Sequence, residues 1–479
     1  MDAVHEIVDF INEYLWYLVI GVLVFAGLLL TGWSKFVQLR LIGEMFRVIT
    51  EKPLIMENGK KGISSFKAFT ISAASRVGTG NIAGVAIAIT LGGPGAIFWM
   101  WLMAIVGSAT AFVESTLGQL YKVQDKDSYR GGPAYYMTQG LNAKWMGVLF
   151  AVIITVTYGL VFNSVQANSI ADSVSTALDN DSDTVFITVG VVVAVLTALV
   201  IFGGIRRIGA VTQVLVPAMA LSYIGLGLLV VVMNISEVPA MFRLVFESAF
   251  GLREAAGGTV GAAIMWGIRR GLFSNEAGMG SVPNAASTAA VSHPVKQGLV
   301  QALGVYFDTL IICSMTAFII LLADPAFGER EGAALTQNAL SLQFGEWAVQ
   351  YLAVVIFILA FSSVLGNYYY GEANVEFLTQ SKTVLQSFRL AVVLCVFLGS
   401  IGSLSLVWDL ADMTMGVMAL LNLAAVIPLS AIAMRLLKHY LAQRREGFNP
   451  VFTRDDMPDL KGVECWDPTA PELQHARKQ

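Results

Sequence analysis

Apolar runs, each about the length of a bilayer crossing, alternate with short polar connections along nearly all of the 479-residue chain. A spanning helix needs ~20 mainly apolar residues. About eleven segments qualify: 15–33, 66–91, 95–121, 145–174, 185–203, 211–234, 258–279, 296–323, 346–378, 384–403 and 407–437. Several are long enough to imply tilt or helical extension beyond the hydrocarbon. Segment 66–91 is interrupted in its middle by Ser75-Arg-Val-Gly-Thr-Gly-Asn81, two glycines among small polar residues. Unpaired backbone groups are costly in hydrocarbon, so such a break survives only where it lines a cavity or binds something. Discontinuous helices near the midplane are how many secondary transporters present backbone groups to a substrate and its coupling ion.

A second interruption, Arg269-Arg-Gly-Leu-Phe-Ser-Asn-Glu-Ala-Gly-Met-Gly280, falls in segment 258–279. With the first span set aside, two sets of five remain, each opening with its broken helix and running oppositely through the membrane. Paired breaks in two halves point to a transporter's binding site. The pattern predicts an all-α polytopic membrane protein with an inverted five-plus-five repeat after one extra N-terminal helix. Four parts follow: 1–65, the extra helix and its loop; 66–234, the first five-helix repeat; 258–437, the second; and 438–479, a tail.

Charge placement orients the chain. Lys35, Arg40, Arg47, Lys52, Lys60, Lys61 and Lys67 follow the first span, Lys122, Lys126 and Arg130 the third, and Arg206 and Arg207 the fifth. Lys382 and Arg389 flank the ninth loop, and Lys438, Arg444 and Arg445 follow the last span. The alternate loops are acidic, as in Asp179–Asp183 and the stretch with Asp324, Glu329 and Glu331. The N-terminus is therefore expected outside and the C-terminus in the cytoplasm. Asp2, Glu6 and Asp9 stand where a signal peptide would be basic. The tail from about Gly447, with Pro450, Pro458, Pro468 and Pro471, reads as a disordered extension.

Composition narrows the class. The chain is 56% hydrophobic and 13% charged, against the ~25% charged residues of soluble domains. A net charge of −4 argues against a nucleic-acid partner. Cys313, Cys395 and Cys465, like His5, His293, His439 and His475, are scattered and give neither a disulfide framework nor a zinc site.

Several motifs carry a family resemblance: Gly78-Thr-Gly-Asn-Ile-Ala-Gly84, Gly92-Gly-Pro-Gly-Ala-Ile-Phe-Trp-Met-Trp101, Gly131-Gly-Pro-Ala-Tyr-Tyr136, Gln166-Ala-Asn-Ser-Ile-Ala171 and Gly271-Leu-Phe-Ser-Asn-Glu-Ala-Gly278. In this order they resemble the alanine-or-glycine:cation symporter family. The resemblance implies a leucine-transporter-type fold and sodium-driven uptake of alanine or glycine across a prokaryotic inner membrane. Expected partners are a small neutral amino acid, Na+ as coupling ion and the bilayer, with no other cofactor. An enzyme would need clustered nucleophiles or metal ligands near one face, and a channel has no need of two inverted broken helices.

A zwitterionic amino acid requires donors for its carboxylate and acceptors for its ammonium. Freed N–H groups of Thr79, Gly80 and Asn81 can hold the carboxylate at a positive helix end. The Phe273–Ala277 break, above all Ser274 and Asn275, can accept from the ammonium, with Gln166 completing the pocket. Gln166 as helix–helix glue remains open beside that role. By resemblance to the leucine-transporter fold, Asn81 is a ligand of a substrate-linked sodium site, with Thr309 a weaker candidate. Carbonyls near Ser75 and Val77 or Gly78, with the Ser362 and Ser363 hydroxyls, would form a second site.

Buried charges are usually paired or functional. Arg76, Arg269 and Arg270 are expected to face Glu114, Asp172, Glu276, Asp308 or Glu372. Gly78–Gly84 resembles a dinucleotide fingerprint but lacks the preceding strand that role needs. Gly92–Gly95 reads as a tight turn, and Trp99, Trp101 and Tyr135–Tyr136 as interfacial anchors in preference to gate elements. Asn367–Glu372 would close the inner pathway or simply pack. At 100 mV one charge carries ~2.3 kcal/mol, and ~1.4 kcal/mol is tenfold, so one sodium ion supports roughly 40-fold accumulation. Proton coupling would need a titrating group in the site, and Glu276 is its obvious carrier.

Overall fold

Lipid-facing and protein-facing stripes organise the first helix. In a computed structural model, which describes residues 2–55, 61–125, 128–252, 259–323, 331–470 and 473, it spans Asp2–Trp33. Trp16, Val19, Leu23, Ala26 and Leu30 recur at helical spacing and are buried, while Tyr17, Leu18, Phe25 and Leu28 are exposed. Both faces are apolar because hydrocarbon, unlike water, solvates the outer one. The buried stripe packs on the Leu404–Arg445 and Gly95–Leu120 helices. Of the residues used above, Lys60, Lys126, Asp324, Glu329, Pro471, His475 and residue 258 lie outside the described residues. The side chains of Asp2, His5, Glu6, Arg206 and Arg207 are likewise not described.

Among the described residues nine helices are long and apolar enough to cross a membrane. The other two expected spans are the broken ones. The first runs in three pieces: Ser65–Arg76, a π turn at Gly80–Gly84, and Val85–Gly92. Ser64 caps its start, accepting from Lys67 N at 3.1 Å. Val77 and Gly78 form the bend. The second break lies later than the sequence pattern placed it. Val260–Asn275 is one continuous helix that includes Phe273, Ser274 and Asn275. The chain leaves it at Glu276, where φ is +58°, and passes Gly278 and Gly280, both at positive φ, before a short Val282–Ala286 helix. Glycine relieves the steric cost of this left-handed path at two of its three positive-φ positions.

Three further π-helical stretches interrupt spans or their approaches: Tyr136–Gly140, Thr157–Phe162 and Tyr306–Cys313. Such bulges cluster at functional sites, and two of these carry residues that face the breaks. Several shorter helices arise between expected spans, two of them longer than ten residues. Val238–Ala249 packs on Gly95–Leu120, and the largely buried Gly332–Phe344 packs on the Trp347–Leu378 span. One two-stranded hairpin, Val123–Asp125 with Ser128–Arg130, is the named sheet among the described residues.

The tail departs from expectation. Its described part is not a detached extension: Val451, Phe452, Met457 and Trp466 are buried in the main core. Prolines suppress helix there but leave these apolar residues free to dock, and their burial offsets the cost of ordering.

The Gly92–Gly95 turn forms as expected, with Gly93 at φ +71° and Pro94 capping the next helix. Trp99 and Trp101 tie helices together: their indole N–H groups donate to Ala249 O (3.3 Å) and Ser314 Oγ (2.9 Å). Tyr136 is buried and donates to Asn422.

Candidate substrate and ion site

The first break meets the second around a buried polar knot. Asn81 Oδ1 accepts from Gly78 N at 2.9 Å and so spans the bend in its own chain. Its Nδ2 turns to Asp308 Oδ1 (2.6 Å) and Ser274 Oγ (3.0 Å). Ser274 Oγ and Thr309 Oγ1 donate to Asp308 Oδ2 at 2.7 and 2.9 Å, and Asn275 Nδ2 donates to Thr309 Oγ1 at 3.2 Å. Asp308 thus gathers donors from the first break, the end of the Val260–Asn275 helix, and its own π turn. A fully buried carboxylate with three neutral donors and, among the described residues, no cation at hydrogen-bond distance is a strong attractor for a small cation. The sequence reading named Asp308 only as an ion-pair partner. What distinguishes it is the π turn that swings it toward Asn81, a feature with no local sequence signal.

Ser75 and Glu276 join the two breaks a second time. Ser75 Oγ donates to Glu276 Oε1 at 2.7 Å, and Ser281 Oγ donates to Glu276 Oε2 at 2.6 Å. Asn367 faces Ser75 Oγ at 2.7 Å. A hydroxyl has one proton, so with Glu276 accepting it the Asn367 amide presents its NH2 there. That orientation also gives the otherwise unpartnered Asn367 Nδ2 a partner. Glu114, from Gly95–Leu120, holds the second break open. Its carboxylate accepts from Gly278 N (3.2 Å), Gly280 N (3.1 Å) and Asn422 Nδ2 (2.8 Å).

The bend of the first break packs against two other spans. Ser363 Oγ lies between Leu359 O of its own helix (3.2 Å) and Val77 O of the bend (3.3 Å), whereas Ser362 Oγ bonds Leu359 O at 2.7 Å and does not reach the bend. Gly78 is required by proximity: a Cβ there would lie 2.1 Å from Ser363 Oγ and 2.8 Å from Gln166 Oε1. Thr79 N, expected free, donates to Gln166 Oε1 at 3.1 Å. Thr79 Oγ1 is buried without a partner. Over Gly80 lies the Phe273 ring, 2.9 Å from where a Cβ would sit, stacked between Phe162 and Trp408 with ring centroids 4.8 Å apart on each side. Phe273 was among the expected site residues, Phe162 and Trp408 were not; together the three rings leave little width beside the bend.

The buried charges pair differently from expectation. Arg269 and Arg270 share one carboxylate, Asp412 of the last long helix, the first at 2.6 Å. Their remaining positive charge rests on Trp16, Trp266, Phe273 and Trp408 rings, 4.8 to 5.8 Å away. Glu372 pairs with Arg389 at 2.8 Å. Arg76 has no carboxylate at ion-pair distance among the described residues; Nη1 reaches Gln301 O at 3.4 Å in space left by Gly304. Asp412, within the expected 407–437 span, was not among the expected partners, because hydropathy does not show which faces of distant helices meet. No cluster of three or more metal-binding side chains occurs among the described residues.

Comparison with known proteins decides the family. The sequence profile of the sodium:alanine symporter family matches residues 1–454. The chain belongs to that family. It is a transporter and not an enzyme. This symporter is 52% identical to the amino-acid carrier protein AlsT of Bacillus subtilis (strain 168), over 96% of each chain. It is 49% identical to the probable sodium/glutamine symporter GlnT of the same organism, over 97% of this chain and 96% of GlnT. It is 38% identical to the sodium/alanine symporter AgcS of Methanococcus maripaludis, over 90% of this chain and 96% of AgcS. A solved sodium-coupled sialic acid symporter in a substrate-bound outward-open state matches with TM-score 0.50 and 11% identity, covering 90% of this chain and 86% of that one. At that identity the likeness speaks for the fold, which is of the leucine-transporter type.

Proposed function

We propose that the symporter carries a small neutral amino acid, alanine and/or glycine, into a prokaryotic cell across its inner membrane by alternating access, driven by sodium. The observation that carries this reading is the junction of the two broken spans. Backbone donors at Gly78–Asn81 and an oxygen-rich cation site at Asp308 share one residue, Asn81. That sharing makes ion and substrate affinity reciprocal. Asn81, Ser274, Thr309 and Asp308 form the substrate-linked ion site. Val77 O and Ser363 contribute to the second, with Ser75 and Gly78 at its edge, and Ser362 stands outside it.

The substrate carboxylate takes the Thr79 N–H from Gln166 and also meets the orphaned Thr79 hydroxyl and Gly80 N–H. Its ammonium then lies toward Ser274 and Asn275. Phe273, with Phe162 and Trp408, is assigned to limit the size of the substrate side chain. Movement is assigned to the two broken spans rocking as the five-helix halves alternate, with the N-terminus outside and the C-terminus in the cytoplasm.

Uptake of labelled alanine, glycine and glutamine into proteoliposomes tests this. Glutamine is included because of the relation to GlnT. An inward sodium gradient is compared with choline and with an imposed pH gradient. Accumulation of alanine or glycine only with sodium is the expected result. Preference for glutamine would overturn the substrate assignment. Accumulation driven by the pH gradient alone would move the coupling to Glu276, whose carboxylate is held only by the Ser75 and Ser281 hydroxyls.

A further inference from the structure

On the face where the Leu404–Arg445 helix ends, residues 448–470 lie folded across the elements that carry the site. Phe452 N donates to Ser292 O at 2.8 Å, and Ser292 Oγ donates to Pro450 O at 2.7 Å. Gln443 clasps Val451 from both sides, at 2.8 and 3.0 Å. Trp466 Nε1 donates to Leu120 O at 3.1 Å. Ser292 belongs to the extended stretch that follows the second break. Leu120 ends the helix whose Glu114 holds that break. The tail therefore bridges parts that must separate if this face is to open.

Beneath it sits an unusual histidine pair. His293 Nδ1 accepts from Val295 N at 3.2 Å, capping the Pro294–Val305 helix that leads to Asp308. With Nδ1 used as an acceptor, the single ring proton of His293 is on Nε2 and donates to His439 Nδ1 at 3.1 Å. The Phe452 ring covers both imidazoles, with centroids 5.7 and 6.0 Å away, and Tyr440 closes the other side at 5.1 Å. An added proton has only Nδ1 to go to. There it confronts the Val295 N–H and destroys the cap.

The surrounding charges oppose that proton. Lys296 pairs with Glu51 at 2.6 Å, Arg47 with Glu44 and Glu51, and Arg444 with Glu44. Tyr440 donates to Glu44, and the tail contributes the neutral Asn449 amide and the Phe452 ring. Three cations stand against two carboxylates. Burial first, then His439 and Lys296, push the His293 pKa well below its ordinary 6.5.

We propose that residues 448–470 form a latch that holds this face closed, and that protonation of His293 releases it. The consequence for transport rests on the symporter reading above; the latch itself does not. A group held neutral when docked and free to titrate when released favours release tenfold for each pH unit below about 6.5, until the docked form itself titrates.

Cys465 reports on the latch. It is half-buried against Tyr129 and Ala290, and next to the buried Trp466. Its maleimide labelling in the purified full-length protein, read at its own peptide by mass spectrometry, needs no transport. Phe452→Ala should label roughly tenfold faster or more at neutral pH, since removing a buried ring is among the larger core losses. His293→Asn keeps a good helix cap that cannot be protonated. The ratio of wild-type to His293→Asn labelling cancels the pH dependence of the thiol. It should rise about tenfold per unit below about 6.5. A ratio that stays flat, or Phe452→Ala labelling at the wild-type rate, overturns the latch. Should His293→Asn fail to insert, the Phe452→Ala comparison decides alone. Sodium-driven uptake on the same proteins separates the two readings: responsive labelling with no uptake removes the symporter assignment, and flat labelling with normal uptake removes the latch.

Discussion

Asn81→Ala is the most informative single perturbation, because that side chain serves both the bend and the ion site. It removes the 2.9 Å bond from Gly78 N and the 2.6 and 3.0 Å bonds to Asp308 and Ser274. A hydrogen bond to a charged group contributes ~1.5–3 kcal/mol and a neutral one ~0.5–1.5 kcal/mol. Sodium takes an amide oxygen and not an N–H, so Asn81 ligates it by turning Oδ1 from Gly78 N; with ~1.4 kcal/mol per tenfold, loss of one contact of that charged class should weaken sodium binding roughly tenfold to a hundredfold. Release of Gly78 N and the reciprocal linkage should weaken alanine affinity in the same direction. The assay is alanine uptake as a function of sodium concentration, beside thermal unfolding of the same protein with sodium or choline. The half-saturating sodium concentration should rise at least tenfold, and sodium should lose most of its stabilising effect. An unchanged sodium dependence with a folded protein would remove Asn81 and Asp308 from the ion site.

Other consequences follow from the same geometry. Ser363→Ala should raise the sodium requirement for uptake while Ser362→Ala leaves it unchanged, since only Ser363 reaches the Val77 carbonyl; equal effects would displace the second site. Gly78→Ala places a methyl 2.1 Å from Ser363 Oγ; an overpacking cost of ~1–3 kcal/mol should cut uptake about tenfold or more, and adding Ser363→Ala should restore part of it. Asp412→Asn strips two buried guanidinium groups of their shared carboxylate; a cost of ~3–5 kcal/mol should appear as a large drop in Tm, and an unchanged Tm would refute the pairing. Burial acts to raise the Glu44 pKa, but hydrogen bonds from Arg47 and Tyr440 and the charges of Arg47 and Arg444 outweigh it and leave it below 4.5. A depressed carboxylate stabilises the fold above its unfolded value and loses that contribution as pH falls through the folded one. Wild type should therefore exceed Glu44→Gln in Tm at neutral pH, and the gap should close below 4.5; a gap that persists in acid would contradict this.

Hydropathy runs and glycine breaks are local properties, and the chain displays them directly. The spans and the two interruptions were legible for that reason: bilayer thickness fixes helix length, and hydrocarbon tolerates no idle backbone break. The membership of Asn81, Ser274, Thr309, Gln166 and Ser363 in one region followed from motif order and resemblance. Other features depended on how helices far apart in sequence pack. Only their rotation about one another gave Arg269 and Arg270 to Asp412, brought Ser363 but not Ser362 to the Val77 carbonyl, and set Gln166 against Thr79 N. The π turn that brings Asp308 to Asn81 is a one-residue adjustment in winding, too small to mark the sequence. The tail, polar and proline-rich by composition, docks because Phe452 and Trp466 meet a surface assembled from Ser292, Leu120 and His439, residues spread over more than three hundred positions. Local chemistry set what each segment could do; the packing of distant segments decided which groups meet.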